Sequence, residues 1–278
     1  MGEFDAALKK MKDKIDLNKV SNLDPRVVAT EINLLKPLER QPMVLSKGSD
    51  WQGNPNCVMG NGDYSVITGL SKSKKSFFKS MLIASYIGGD ETDESMPFST
   101  HRRGDKLILD IDTEQSDYHT QRAGKRVARI LQGDYKGHRV FGWQQNSPKE
   151  RMEMLTNLIE TYKTDIGIIF LDGYIDFVND FNDKVECIAF QNQIMKWCHQ
   201  YKFHICGVLH KNPNGQKMIG HIGSIMERKA ATIIFLEKSP NDKNRSLVCH
   251  ERARDMEFNE FEIEIDRGLP FARPIQAI

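Results

Sequence analysis

The chain has 278 residues, of which 39% are hydrophobic, and this suits one large domain with an appendage better than two equal domains. Its 39 lysine and arginine residues against 38 aspartate and glutamate residues leave a formal net charge of +1, so no global basic surface indicates nucleic acid. Five scattered cysteines without C-x-x-C spacing favour reduced thiols over a zinc site or a disulfide framework. No apolar run reaches the ~20 residues of a membrane span and the acidic start is unlike a signal peptide, so we expect a cytoplasmic protein without a membrane partner.

Residues 1–45 are lysine-rich, polar and prone to helix, with Leu8, Met11 and Ile15 at helical spacing. This segment has too few apolar residues to form its own core. We expect either a helical arm that docks on the main domain or on a neighbouring subunit, or a partly disordered lead-in. The main domain is predicted to span residues 46–278. Residues 43–63 are rich in Gly, Asn, Pro and Ser, which is typical of turns.

The stretch from Tyr64 to Phe78 joins an apolar run to a loop of small and basic residues and then to a predicted helix. The phosphate-binding loop pattern is Gly, four residues, Gly-Lys and then Ser or Thr. Gly69, Lys75 and Ser76 fit this pattern, whereas Lys74 stands in place of the second glycine. In such a loop Lys75 would reach the terminal phosphates and Ser76 would hold Mg²⁺; the alternative is a basic surface turn. The residues assigned to nucleotide binding are Gly69, Leu70, Ser71, Lys72, Ser73, Lys74, Lys75, Ser76 and Phe77.

Strands and helices alternate after this loop. Further strands are predicted at 106–112, 139–143, 166–171, 203–209 and 232–236. Helices are predicted at 120–132, after a capping box at Ser147 and Glu150, at 184–200 and at 222–230. Residues 88–104 are expected to form a surface connection, and strands at 246–250 and 258–265 follow without intervening helices. This order predicts an α/β fold whose mostly parallel central sheet is extended by antiparallel strands at the C-terminal end.

Polar side chains follow several of the apolar runs, and the carboxyl ends of parallel strands share one edge of a sheet. That edge would present Lys75, Glu114, Asp172 and His210 together. Asp172 follows an apolar run as a magnesium-orienting aspartate does, although an aspartate before Gly173 also suits a turn. Glu114 suits a carboxylate that orients or deprotonates water opposite a γ-phosphate, or else an exposed acid in the first turn of a helix. For His210 the alternative to a functional role is a histidine that ends a strand for packing reasons alone.

These motifs in this order resemble the RecA-like P-loop ATPase superfamily, especially its ring-forming RepA-like and DnaB-like helicases, over residues 46–275. The resemblance implies a RecA-like core in which Glu114 is the catalytic base and Asp172, in the Walker B position, belongs to the Mg²⁺ site. It also implies that His210 senses the γ-phosphate. Arg252 and Arg254 look like a variant of the pair that reaches the neighbouring subunit's nucleotide. Their alternative is a pair of arginines that faces glutamates on an edge strand.

The resemblance implies a Mg²⁺-dependent ATPase that forms a ring, expected to be hexameric. The ring would act on single-stranded DNA as a helicase or translocase, in replication or mobilisation of a genetic element of the kind found in bacteria. Lys211, Asn212 and Lys217 occupy the place of the family's DNA-contacting loop, although a solvated loop would look the same. Because Lys74 departs from the pattern, an ATP-gated loader or regulator that barely hydrolyses ATP stays open as an alternative. A small-molecule kinase is disfavoured by the two separate strand ends that carry carboxylates.

Overall fold

The computed structural model describes residues 23–37, 39–212, 214 and 217–275. The chain divides into two compact units, Met1–Arg40 and Gln41–Ile278. In the first unit a short helix, α1 (Pro25–Val28), is capped by Asp24, whose side chain accepts a hydrogen bond from the backbone N–H of Arg26. The predicted helical spacing of Leu8, Met11 and Ile15 lies outside the described residues.

In the second unit strands alternate with helices between residues 107 and 238. Its strands are β1 (Met43–Ser49), β2 (Pro55–Gly60), β3 (Tyr64–Gly69), β4 (Ser99–Thr100), β5 (Leu107–Asp112), β6 (His138–Gly142), β7 (Ile166–Asp172), β8 (His204–His210), β9 (Thr232–Lys238), β10 (Arg245–Ala253), β11 (Phe261–Asp266) and β12 (Leu269–Arg273). Its helices are α2 (Lys75–Gly88), α3 (Asp117–Leu131), α4 (Pro148–Tyr162), α5 (Lys184–Tyr201) and α6 (Gly220–Lys229), with a 3₁₀ helix at Tyr174–Phe177. Among the described residues, none of the helices has the length and apolar composition needed to cross a membrane.

Nine of the strands form one mixed sheet in the order β12-β11-β10-β9-β3-β8-β7-β5-β6. From β9 to β6 every neighbouring pair is parallel, whereas β9, β10, β11 and β12 pair antiparallel. Strands β3 and β7 are buried along their whole length, as expected for parallel strands covered on both faces. The predicted α/β fold, with a mostly parallel sheet and antiparallel strands at its C-terminal end, is confirmed.

Successive residues of the central strands belong alternately to two hydrophobic clusters, one on each face of the sheet. Ile168 and Phe170 of β7 pack in the cluster that contains α2 and α3. Ile169 and Leu171 pack in the cluster that contains α4, α5 and α6. This alternation follows from the period of two in a strand, and it leaves the ends of the strands, between the two helical layers, as the places where polar side chains meet.

A small antiparallel sheet in the order β2-β1-β4 was not predicted. It forms in the segments that were expected to be turns and a surface connection. Short apolar pairs, Val44 with Leu45 and Val58 with Met59, are buried there among the turn residues. Phe98, next to β4, is completely buried in the same cluster as α2. The sheet therefore covers the α2 face of the central sheet.

Candidate functional site

Strand β3 ends at Gly69, at the start of the predicted phosphate-binding loop. Gly69 has φ of +155°, and a Cβ atom there would lie 2.4 Å from the carbonyl oxygen of Leu236 and 2.6 Å from Ser73 Oγ. Only glycine permits this approach of the backbone to β9. Helix α2 starts at Lys75, so the loop leads directly to the positive end of a helix, which favours an anion.

Lys74 precedes α2 at the position where the loop pattern has glycine. Its backbone is left-handed, with φ of 67° and ψ of 25°, and Lys72 has φ of 64°. A residue with a Cβ atom accepts this conformation at a cost of about 1–2 kcal/mol. The Lys74 ammonium donates a hydrogen bond to the carbonyl of Lys243, in the turn between β9 and β10. Lys74 thus adopts the left-handed backbone that a glycine adopts readily, and the cost is local strain.

The Lys75 side chain is buried inside the loop. Its Nζ donates hydrogen bonds to the carbonyl oxygens of Gly69, at 3.0 Å, and Leu70, at 2.9 Å. Burial lowers the pKa of the ammonium, while the charges of Asp172 and Glu114 act in the opposite direction. A bound phosphate would supply further negative charge and favour the charged form.

Ser76 and Phe77 begin α2, and Arg126 of α3 contacts both of them. The guanidinium carbon of Arg126 lies 3.8 Å from the centroid of the Phe77 ring, and its Nη1 donates to the carbonyl oxygen of Ser76 at 3.2 Å. Burial, together with repulsion from Arg122 and Arg129, lowers the pKa of Arg126 to about 10. A positive charge that was not predicted from the sequence therefore lies beside the first turn of α2.

Lys79, one helical turn after Lys75, was also missed. It is 1% exposed, and its Nζ lies 3.0 Å from Asp110 Oδ1 and 3.0 Å from Asp172 Oδ2. Burial disfavours the ammonium, but the two carboxylates more than offset this and hold the pKa of Lys79 well above its usual range. For Asp110 burial alone would raise the pKa, but Lys79 and His138 together outweigh burial and lower the pKa to about 2. Asp172 is therefore one member of a buried ionic network.

Glu114 and His210, which follow β5 and end β8, lie together at the carboxyl edge of the sheet. His210 Nε2 is 3.2 Å from Glu114 Oε1, and both side chains are 38% exposed. This hydrogen bond is the main reason that the pKa of Glu114 lies below its ordinary value. The turn that carries Glu114 is held by Asp112, whose Oδ1 accepts hydrogen bonds from the N–H groups of Glu114, at 3.0 Å, and Gln115, at 2.9 Å. Glu114 is thus kept ionised and oriented.

Thr113 and Arg151 tie the neighbouring strand ends together. The Thr113 hydroxyl donates to the carbonyl oxygen of Asp172 at 2.7 Å and accepts from the N–H of Gly173 at 2.9 Å. Arg151, a buried residue of α4, donates to the carbonyl oxygens of Trp143, at 3.1 Å, and Asp176, at 2.8 Å. The segments that follow β5, β6 and β7 are therefore joined by hydrogen bonds.

Arg252 lies on β10 and Arg254 directly follows that strand; both are exposed and lie away from the loop. Arg252 donates to the carbonyl oxygen of Glu227 at 3.0 Å, and Arg254 Nη1 lies 2.9 Å from Asp63 Oδ1. Asp63 directly precedes β3, so this pair lies at the amino edge of the sheet, opposite the edge that carries Lys75. The structure does not bring these arginines to the loop of the same chain.

Lys211, Asn212 and Lys217 begin and end the loop between β8 and α6. Lys211 is buried, with its Nζ 2.5 Å from Glu251 Oε1 and 3.9 Å from the ring centroid of Phe235. Its ammonium is thus paired within the fold and turned away from solvent. The N–H of Asn212 donates to the carbonyl oxygen of Lys217 at 2.8 Å, and Lys217 is exposed. Of the residues predicted to contact nucleic acid, Lys217 is the one with an exposed charge.

No protein-family model and no curated protein matches this chain. Function is therefore inferred from the site itself. The described residues contain no group of three or more His, Cys, Asp or Glu side chains placed to hold a metal ion. Mg²⁺ in nucleotide sites keeps several waters and uses one or two carboxylates together with the phosphates, so a single carboxylate, Asp172, and the Ser76 hydroxyl suit its chemistry.

Proposed function

We propose that the protein is a Mg²⁺-dependent ATPase with a RecA-like core that binds ATP in the loop from Gly69 to Ser76. The observation that carries this proposal is the loop itself. It passes through a close approach at Gly69 and a left-handed residue at Lys74 into the positive end of α2, with the Lys75 ammonium turned inward. Glu114, His210 and Asp172 support it, because they follow or end neighbouring strands at the same edge of the sheet.

Each residue of the site would have a separate role in ATP hydrolysis. Lys75 exchanges its hydrogen bonds to two backbone carbonyls for bonds to the β- and γ-phosphates. Glu114, which is ionised, orients the attacking water and accepts its proton. His210 holds Glu114 in place and would respond to the γ-phosphate. Ser76 and Asp172 would hold Mg²⁺, which when bound neutralises charge on the phosphate oxygens.

A ring that acts on single-stranded DNA, expected to be a hexameric helicase or translocase, is the assembly we propose for this ATPase. Arg252 and Arg254 would serve the nucleotide of a neighbouring subunit, since they lie far from the loop of their own chain. Lys217 offers an exposed charge to a DNA phosphate.

The test is ATP turnover with and without single-stranded DNA for the wild type and Glu114→Gln. Loss of the base is expected to reduce turnover by about 10²-fold or more while ATP binding is retained. Glu153→Gln, at an exposed position of α4, is the matched control and should leave turnover unchanged. Equal turnover by the Glu114 variant and the wild type would show that Glu114 is not the base. The absence of turnover by the wild type would contradict the proposed ATPase activity.

The second candidate is an ATP-gated loader or regulator that assembles on ATP and barely hydrolyses it. It is favoured by Lys72 and Lys74, which add positive charge for phosphate while they hold two left-handed positions in the loop. This function predicts ATP-dependent oligomers in light scattering, negligible phosphate release and no stimulation by DNA.

A further inference from the structure

The two carboxylate oxygens of Asp172 have different surroundings. Oδ2 is buried and lies 3.0 Å from Lys79 Nζ. Within the described part of the chain, no hydrogen bond or ion pair engages Oδ1. One oxygen of Asp172 is therefore bound to the protein, and the other is available to a ligand.

Lys79 is held in turn by Asp110. Its Nζ lies 3.0 Å from Asp110 Oδ1, and Asp110 Oδ2 faces His138 Nε2 at 3.4 Å. The side chains of Lys79, Asp110 and Asp172 are only 2%, 3% and 6% exposed, so little water screens these contacts. Because Lys79 belongs to α2, Asp110 to β5 and Asp172 to β7, the network joins the helix of the phosphate-binding loop to two strands of the sheet.

We infer that Lys79 is a positioning residue for the metal site: it holds Asp172 by Oδ2, so that Asp172 offers one oxygen, Oδ1, to the Mg²⁺–nucleotide complex. This inference rests on the proposed function. A carboxylate can bind a cation through one oxygen or through both, and a fixed ammonium on one oxygen leaves single-oxygen binding. Groups that orient a metal ligand in this way typically change metal affinity by about 10–100-fold when they are removed.

The variant Lys79→Met alone would leave two buried carboxylates without their counter-ion and could unfold the protein. The double variant Lys79→Met with Asp110→Asn removes one charge of each sign and keeps the volumes similar. We expect this protein to unfold cooperatively and to bind Mn²⁺, measured by electron paramagnetic resonance with a non-hydrolysable ATP analogue, about 10–100-fold more weakly than the wild type. Unchanged Mn²⁺ affinity in the folded double variant would overturn the inference.

Asp172→Asn is the reference that separates the inference from the proposed function. If it leaves Mn²⁺ affinity unchanged, Asp172 is not a metal ligand and the metal assignment of the proposed function fails. If it weakens Mn²⁺ binding while the folded double variant does not, only the role of Lys79 fails.

A measurement on the wild type does not depend on how well the double variant folds. Infrared difference spectra with and without Mg²⁺ and the ATP analogue report the carboxylate stretches of Asp172, which are identified by their loss in Asp172→Asn. A wide separation between the antisymmetric and symmetric stretches, as in single-oxygen binding, is expected. A narrow separation, as in binding through both oxygens, would overturn the inference.

Discussion

Replacing Lys79 with methionine tests the buried ionic network most directly. Methionine fills a similar volume but removes the ammonium that lies 3.0 Å from both Asp110 and Asp172. Two carboxylates that share one ammonium then face each other in a site from which water is largely excluded. Like charges at this separation do not both stay ionised at low cost, so one carboxylate of the folded variant will take up a proton.

The cost follows from the ordinary pKa of an aspartate side chain, 3.8. At pH 7, which is about 3 pH units above this pKa, keeping such a group protonated costs about 1.4 kcal/mol per unit, or about 4 kcal/mol. This agrees with the loss of about 3–5 kcal/mol measured when one partner of a buried ion pair is removed. We therefore expect Lys79→Met to lower the free energy of unfolding by about 3–5 kcal/mol at pH 7.

The loss should depend on pH with a definite sign. In the wild type the pKa of Asp110 is lowered to about 2, so its contribution is fully present above pH 4 and is lost only as the pH falls toward 2. In the variant the repulsion between the two carboxylates raises the pKa of one of them, so this carboxylate binds a proton in the folded state. The free energy of unfolding of the variant therefore rises as the pH falls. Between pH 7 and pH 5 the difference between wild type and variant should shrink by about 1.4 kcal/mol per pH unit.

Urea unfolding at pH 5, 6 and 7 measures this difference. Lys149→Met is the matched control, because Lys149 is 81% exposed on α4 and its replacement should change stability by less than about 0.5 kcal/mol. A difference below about 1 kcal/mol at pH 7, or one that does not vary with pH, would refute the argument that the ammonium compensates two buried charges.

Three further predictions concern the loop and its neighbours. Lys74→Gly should raise the free energy of unfolding by about 0.5–1 kcal/mol in urea, because strain at φ of 67° is relieved, whereas Lys74→Ala should bring no such gain. Equal effects of the two substitutions would contradict this. Gly69→Ala places a Cβ atom 2.4 Å from the carbonyl oxygen of Leu236, so it should cost about 1–3 kcal/mol and abolish ATP binding in calorimetry. His210→Ala removes the hydrogen bond that lowers the pKa of Glu114, so the acid limb of the pH–turnover profile should move to higher pH; an unmoved limb would mean that this bond does not tune the base.

The contact between Glu114 and His210 was accessible from the sequence because it depends on topology. Apolar runs that alternate with helices predict parallel strands, and residues after parallel strands share an edge whatever their separation along the chain. The Lys79 network was missed for the opposite reason. A lysine in a helix is ordinarily read as solvent-facing, yet Lys79 falls between Phe78 and Met81 on an apolar stretch, and Asp110 interrupts an apolar strand. The sequence signal for this network was a pair of opposite charges, Lys79 and Asp110, each inside an otherwise apolar segment.

Other features depend on pairings that no local pattern contains. Lys211 looks like a loop lysine, and its burial follows from Glu251 on a strand far along the chain. The small sheet forms because short apolar pairs such as Val44 and Leu45 pack in the hydrophobic cluster that contains α2, although their neighbours in the sequence are turn residues. In both cases tertiary packing overrides the local composition.

If Arg252 and Arg254 have the proposed role at a neighbouring copy's nucleotide, their position constrains how copies of this chain can meet. The pair lies at the amino edge of the sheet, beside Asp63, and the loop lies at the carboxyl edge. A copy that lends these guanidinium groups to another copy's nucleotide must place its amino edge against that copy's carboxyl edge. Two copies that lie antiparallel side by side can make this contact reciprocally as a two-fold dimer, whereas a contact made once between each pair of copies joins two different surfaces. Repeated from copy to copy, it either closes into a ring or continues as a helical filament.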